Sequence, residues 1–172
     1  MPLPGRVRGL LPGRRPALPD AVRGLTLEPG ERRLAWATTP DGGPVVATTL
    51  GLHLPGAGRV DWPDVERASW RRPQLTVVRV SAVEGSGRRD TVELVEDTDL
   101  ADLVRAQVIA SIAWSDHARL RPAGGVRVVG RRRPGLEVLD WQLVYDAGTD
   151  VDDPQVREQA EAVLLAARRA IG

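Results

Sequence analysis

The chain of 172 residues contains no cysteine, no lysine and no phenylalanine, and only one methionine, one tyrosine and two histidines. Each shortage closes off a class of chemistry. Without cysteine there is no disulfide, no thiolate nucleophile and no cysteine-ligated zinc, which fits a reducing cytoplasm. Two histidines alone do not furnish a transition-metal centre, so neither a metal nor any other cofactor is expected. Without phenylalanine the core has to draw its bulk from Val, Leu, Ala and five Trp. Without lysine all 24 basic residues are arginine, a bias with no stability rationale that points to a GC-rich bacterial genome. No apolar run approaches the roughly 18 residues of a membrane span. The N-terminal MPLPGRVRGLLPGRRPALPD breaks its leucines with Pro and Gly and so lacks the apolar centre of a secretory signal. The expectation is a cytoplasmic protein.

What is present is an ordinary globular composition, 42% hydrophobic and 27% charged, in a length that suits one domain. The formal net charge of +1 gives no global field for recruiting nucleic acid or an anionic membrane. The charge is uneven. Residues 1–33 carry seven Arg against Asp20, Glu28 and Glu31, a local +4, whereas residues 146–161 are acidic. Residues 1–28 read as a flexible Pro/Arg-rich tail, with room for one helical turn between Ala17 and Leu25. Residues 29–172 read as a single domain whose last part, from about residue 120, extends it.

Short strands with turn punctuation begin near Glu31. Residues 33–38 alternate, and Pro40-Asp-Gly-Gly-Pro44 breaks the run because Gly tolerates positive φ and Pro cannot continue a ladder. Strands over 45–49, 52–54, 59–62, 65–70, 74–80 and 91–95 follow, with a turn at Pro55-Gly-Ala-Gly58 and a polar loop at 84–90. Near residue 98 the period lengthens. Leu100, Leu103, Val104, Val108, Ser111 and Ile112 make one helical face, with Asp97, Asp99 and Asp102 at the dipole's positive end and Trp114 near its close.

A hairpin over 125–145 comes next. If Pro134-Gly135 is its turn, Arg133 faces Leu136. One face then holds Val126, Val128, Leu139, Trp141, Leu143 and Tyr145, and the other Arg127, Arg131, Arg133, Asp140 and Gln142. Pro-Gly favours a type II turn, whereas two-residue hairpins prefer primed turns, so the register is open to slippage. The last element is a helix with Asp153 as N-cap, Pro154 at its first position and an apolar stripe through Val156, Ala160, Val163, Leu164, Ala167 and Ile171.

The segments Gly30-Glu-Arg-Arg-Leu-Ala-Trp36, Val45-Val-Ala-Thr-Thr-Leu-Gly-Leu-His-Leu54 and Val60-Asp-Trp-Pro-Asp-Val-Glu-Arg-Ala-Ser-Trp70 resemble bacterial pleckstrin-homology-like (PH-like) domains, over about residues 28–113. The whole chain also looks like a group of uncharacterised actinobacterial proteins of similar length. The resemblance implies an α+β fold: a strongly bent antiparallel sheet or partial barrel with a capping helix, extended by a C-terminal hairpin and helix. It further implies a role in binding proteins, lipids or peptides rather than in catalysis. Phosphoinositide-binding members use basic residues around the loop between the first two strands. Here that loop, Thr38-Thr-Pro-Asp-Gly-Gly-Pro44, has no Arg and one Asp, which argues against a phosphoinositide headgroup.

Several residues invite a chemical reading. His53 sits between two leucines on a strand and faces away from them, as an exposed or half-buried histidine. Ser115-Asp-His117 holds the residue types of a hydrolase triad, but consecutive side chains diverge, so a helix-terminal turn is expected. Thr48, Thr49, Asp61 and Asp64 are read as strand and turn residues rather than paired catalytic carboxylates. No glycine pattern marks a nucleotide loop. Arg127, Arg131 and Arg133 share one strand face and form the candidate ligand-binding group, since arginine grips carboxylate or phosphate in two-pronged fashion. Trp36, Trp62, Trp70 and Trp141 are expected in the core. The expectation is therefore a non-enzymatic protein-interaction or scaffold module, self-associating through the extension. The alternative is a nucleic-acid or anion binder using the Arg127/Arg131/Arg133 face and the basic tail.

Overall fold

The computed structural model of the protein describes residues 17–95 and 99–171. Most of the expected tail, residues 1–16, and Asp97 of the expected helix start lie outside them. A one-turn helix α1 (Asp20–Arg23) leads into a four-stranded antiparallel meander, β1 (Arg33–Thr38), β2 (Pro44–Thr48), β3 (Gly51–Leu54) and β4 (Gly58–Asp61). A 3-10 turn at Trp62–Asp64 passes the chain to a second meander, β5 (Val65–Arg71), β6 (Gln74–Arg79) and β7 (Arg89–Glu93). Helix α2 (Leu100–Ser111) follows, then a third meander, β8 (Ile112–Arg119), β9 (Gly125–Arg132) and β10 (Leu139–Tyr145), and finally α3 (Pro154–Ile171). The fold is α+β, with three antiparallel sheets and three helices among the described residues.

Two cores organise these elements. In the first, inward residues of the first two sheets, such as Ala47, Leu52, Val60, Leu75 and Val77, close on Leu100, Val104 and Val108 of α2. Trp62 plugs the join between the sheets: it is buried, and its indole N–H donates to the Thr48 carbonyl at 3.0 Å. The other expected core tryptophans differ. Trp70 packs against this core only partly buried, and Trp36 and Trp141 are likewise partly buried. On β1 it is Ala35 and Ala37 that point into the core, because Trp36 pairs with Val46 on the opposite face. That opposite face is covered too. Val22 of α1 is fully buried, and the Arg33 side chain donates to the carbonyls of Val22, Arg23 and Leu25, tying residues 22–25 to β1.

The second core joins the third sheet to α3 through Leu120, Val126, Tyr145, Val156 and Ala160. Asp153 caps α3 as its residue type dictates, its Oδ1 accepting the Gln155 N–H at 2.8 Å. The third sheet begins earlier than the sequence suggests. Helix α2 ends at Ser111 and the chain turns extended at Ile112, so Trp114 lies in β8 rather than at a helix end. In the hairpin, Pro134-Gly135 does form the turn, closed by a bond from the Leu136 N–H to the Arg133 carbonyl at 3.1 Å, with Gly135 at φ 82°. This is the type II geometry Pro-Gly favours, and its twist does not match a two-residue hairpin. Pairing therefore starts at Arg132 and Leu139 instead of Arg133 and Leu136. The slip is an even number of residues, so each side chain keeps the face its sequence position assigns.

Candidate functional site

The arginine face of the hairpin turns inward. Through the β9–β10 register, Arg127, Val129 and Arg131 share a face with Asp140, Gln142 and Val144. Val129, Val144 and Arg131 are buried, and the face meets the end of α2, the 3-10 turn and the loop at 82–84. The Gln142 side-chain amide donates to the Pro63 carbonyl at 3.2 Å, and Tyr145 exchanges backbone bonds with Ala82 and Glu84. Arg131 is 4% exposed, donating to Ser111 Oγ at 2.9 Å and to Gln142 Oε1 at 3.1 Å. Burial pushes its guanidinium below the ordinary arginine range, and the nearby charges of Asp64, Glu66 and Asp140 oppose that push.

Arg133 sits just beyond β9. Its Nη2 donates at 2.7 Å to both Asp64 and Asp140, and its Nη1 lies 3.5 Å from Asp61. These bonds hold its guanidinium charged well above the ordinary range. Arg127 lies 3.8 Å from Glu84, half-exposed. The three candidate arginines thus differ in setting: Arg131 is buried, Arg133 is bonded to Asp64 and Asp140, and Arg127 is half-exposed beside Glu84. Asp61 and Asp64 converge on Arg133, which a reading of the turn alone could not show.

Beside Arg133 the two halves leave a cleft of about 470 Å³. Trp62 and Thr49 line one side, Ala110 and Ser111 at the end of α2 another, and the β9–β10 tip from Arg132 to Leu139 the third. Its volume falls within the range of small-ligand and side-chain pockets. On the tip, Leu136 is 56% and Val138 72% exposed. The Arg132 and Glu137 side chains at its lip make no hydrogen bond or ion pair to another described residue.

A second polar cluster was not legible as one. His53 is buried rather than exposed, because the chain from α1 to Glu31 folds across its face of the sheet. Its Nε2 lies 2.9 Å from Glu31 Oε1. The Glu31 carboxylate, whose side chain has no exposure, also accepts the Thr48 hydroxyl at 2.5 Å, the Glu28 N–H at 2.9 Å and Arg59 Nη1 at 3.2 Å. Burial alone raises the Glu31 pKa. The bonds from Thr48, Glu28 and His53 outweigh that and bring it to about 2. Arg59 is likewise desolvated, yet Asp61 and Glu28 hold its guanidinium charged above the ordinary range. Thr48 Oγ1 is engaged with Glu31, the Gly51 carbonyl and the N–H groups of Leu50 and Gly51. Thr48 has no solvent exposure, and its bonds tie Glu31, before β1, to the turn between β2 and β3.

Ser115-Asp116-His117 lies in β8, not in a helix-terminal turn. The local Asp-to-backbone bond does form, from the His117 N–H to Asp116 Oδ1 at 2.9 Å. His117 Nε2 meets Asp146 Oδ2 at 2.9 Å on an exposed surface. Among the described residues no group of three or more His, Asp or Glu is placed to hold a metal ion, and no helix is long and apolar enough to cross a membrane. No protein-family model, curated protein or solved structure matches the chain.

Proposed function

We propose that the chain is a PH-like, non-catalytic interaction module whose junction cleft takes a segment of a partner protein. The observation that carries this reading is the cleft itself. It is walled by Trp62 and the end of α2, and overhung by a hairpin tip that holds Leu136 and Val138 in solvent. Protruding apolar side chains beside an open cleft mark interaction surfaces. The order of elements supports the PH-like part: a four-stranded meander, a three-stranded meander and a helix packed across both. An anion site built on Arg127, Arg131 and Arg133 is the weaker reading, since Arg131 is buried and Arg133 is bonded to carboxylates of its own chain. Self-association through α3 is weaker as well, because Val156, Ala160 and Ala167 of its stripe are buried within the chain.

Selection of a random-peptide display library on the immobilised protein tests the proposal, with a Leu136→Ser/Val138→Ser double variant as counter-target. The expected outcome is a family of peptides sharing an apolar anchor residue whose retention drops at least about tenfold on the variant. No enrichment, or equal retention on both proteins, overturns it.

A further inference from the structure

Arg131 and Arg133 of the hairpin are engaged by residues of their own chain, but another arginine face is not. The strand register places Arg67, Ser69 and Arg71 of β5, Gln74, Thr76 and Val78 of β6, and Arg89, Thr91 and Glu93 of β7 on one side of the second sheet. The opposite side carries Ala68, Trp70, Leu75 and Val77 into the first core. Seven of the nine outward residues are exposed; Thr76 is half-buried and Val78 buried. Arg67, Arg71 and Arg89 make no hydrogen bond or ion pair to another described residue, in contrast to Arg59, Arg79, Arg88, Arg127 and Arg133, each of which has a carboxylate within 4 Å. With Glu93 the face carries three cations against one anion, a local +2 in a chain whose net charge is +1. A hydroxyl row, in which Thr76 Oγ1 and Thr91 Oγ1 lie 3.2 Å apart beside Ser69, runs between the charges.

We infer that this face binds double-stranded DNA through its phosphates. Arginine forks and hydroxyls are the donors that phosphate oxygens accept from. Strand spacing puts β5 and β7 about 10 Å apart, and four residues along β5 span about 13 Å, comparable to the roughly 12 Å opening of a duplex major groove. The three guanidinium groups therefore reach phosphates on both lips of a groove. The face has no aromatic side chain, so it offers no platform for stacked bases of a single strand. It has no protruding apolar side chain either, so nothing enters the acyl region of a bilayer. Binding is expected to be independent of base sequence, because phosphate contacts carry no sequence information. The inference does not rest on the junction cleft, and either reading stands if the other fails.

Fluorescence anisotropy of a labelled mixed-sequence DNA duplex of about 24 base pairs, titrated with the full chain, tests it. Three phosphate contacts give a log–log salt slope near −2.7, so affinity falls about 40-fold between about 50 and about 200 mM salt. The Arg67→Gln/Arg71→Gln/Arg89→Gln variant is expected to lose at least about tenfold in affinity at low salt and to flatten that slope. A charge-matched control, Arg119→Gln/Arg121→Gln/Arg168→Gln, is expected to change affinity by less than about threefold. Circular dichroism is expected to show both variants folded, as all six side chains are exposed. No duplex binding at low salt overturns the inference, as does an equal loss in the two variants. Tighter binding to a single-stranded thymidine oligomer, or to vesicles containing phosphatidylserine, than to the duplex overturns it too.

Discussion

Glu31 shows how much a single side chain can organise without leaving a trace in the sequence. Nothing in Gly-Glu-Arg-Arg marks that carboxylate as buried, and its partners Thr48, His53 and Arg59 are 17, 22 and 28 residues away. His53 was legible as facing away from Leu52 and Leu54, but which element covers that face is a tertiary fact. The energetic consequence has a definite sign. The folded pKa of Glu31 is depressed from 4.5 to about 2. Its contribution is therefore fully present above about pH 5 and is lost as pH falls from there towards 2. An acid titration of the urea midpoint is expected to show about 3 kcal/mol of stability disappearing over that window. The Glu31→Gln variant is expected to be less stable at pH 7 and to have a flatter acid limb. An acid limb identical in both proteins would place the titrating group elsewhere. Trp62 belongs to the same scale: it was one of four tryptophans with equal claims to the core, and only its position between two sheets decides that it alone is fully buried.

At the scale of elements the sequence was more informative. Alternation, turn residues and the change of period near residue 98 located the seven strands of the first two sheets, α2 and α3, because each rests on local physics. The misses fall where tertiary packing decides. Ser115-Asp-His117 reads as a helix-terminal turn because β8 follows α2 with no residue between Ser111 and Ile112 to mark the change. The hairpin register slipped because the type II turn at Pro134-Gly135 does not feed a two-residue loop. Two substitutions probe this level. Gly51 opens β3, and a Cβ there would stand 2.4 Å from the Val60 carbonyl oxygen, so Gly51→Ala is expected to cost about 1–3 kcal/mol or more in chemical denaturation. Asp153→Ala removes the α3 cap and is expected to cost about 1 kcal/mol, with the loss of helical ellipticity confined to low denaturant.

At the scale of the whole molecule, the third sheet and α3 form a second packed unit laid against the first. The division of the hairpin into an apolar and an arginine face was readable from residue parity. Where each face points was not, since an arginine face looks the same in a sequence whether it meets solvent, a ligand or carboxylates of its own chain. Arg133 joins the units by bonding Asp64 of the first while holding Asp140 of the second. Because Asp64 is 48% and Arg133 28% exposed, solvent screens the pair, and its worth is about 1 kcal/mol rather than that of a fully buried bridge. This inward use of Arg131 and Arg133 defines how the two units meet. The most direct measurement is a double-mutant cycle on Arg133→Gln and Asp64→Asn, followed by urea denaturation at low and high salt. A favourable coupling of about 0.5–1.5 kcal/mol that shrinks as salt rises is expected. A coupling indistinguishable from zero at low salt would mean that Arg133 faces solvent, and would contradict its inward use.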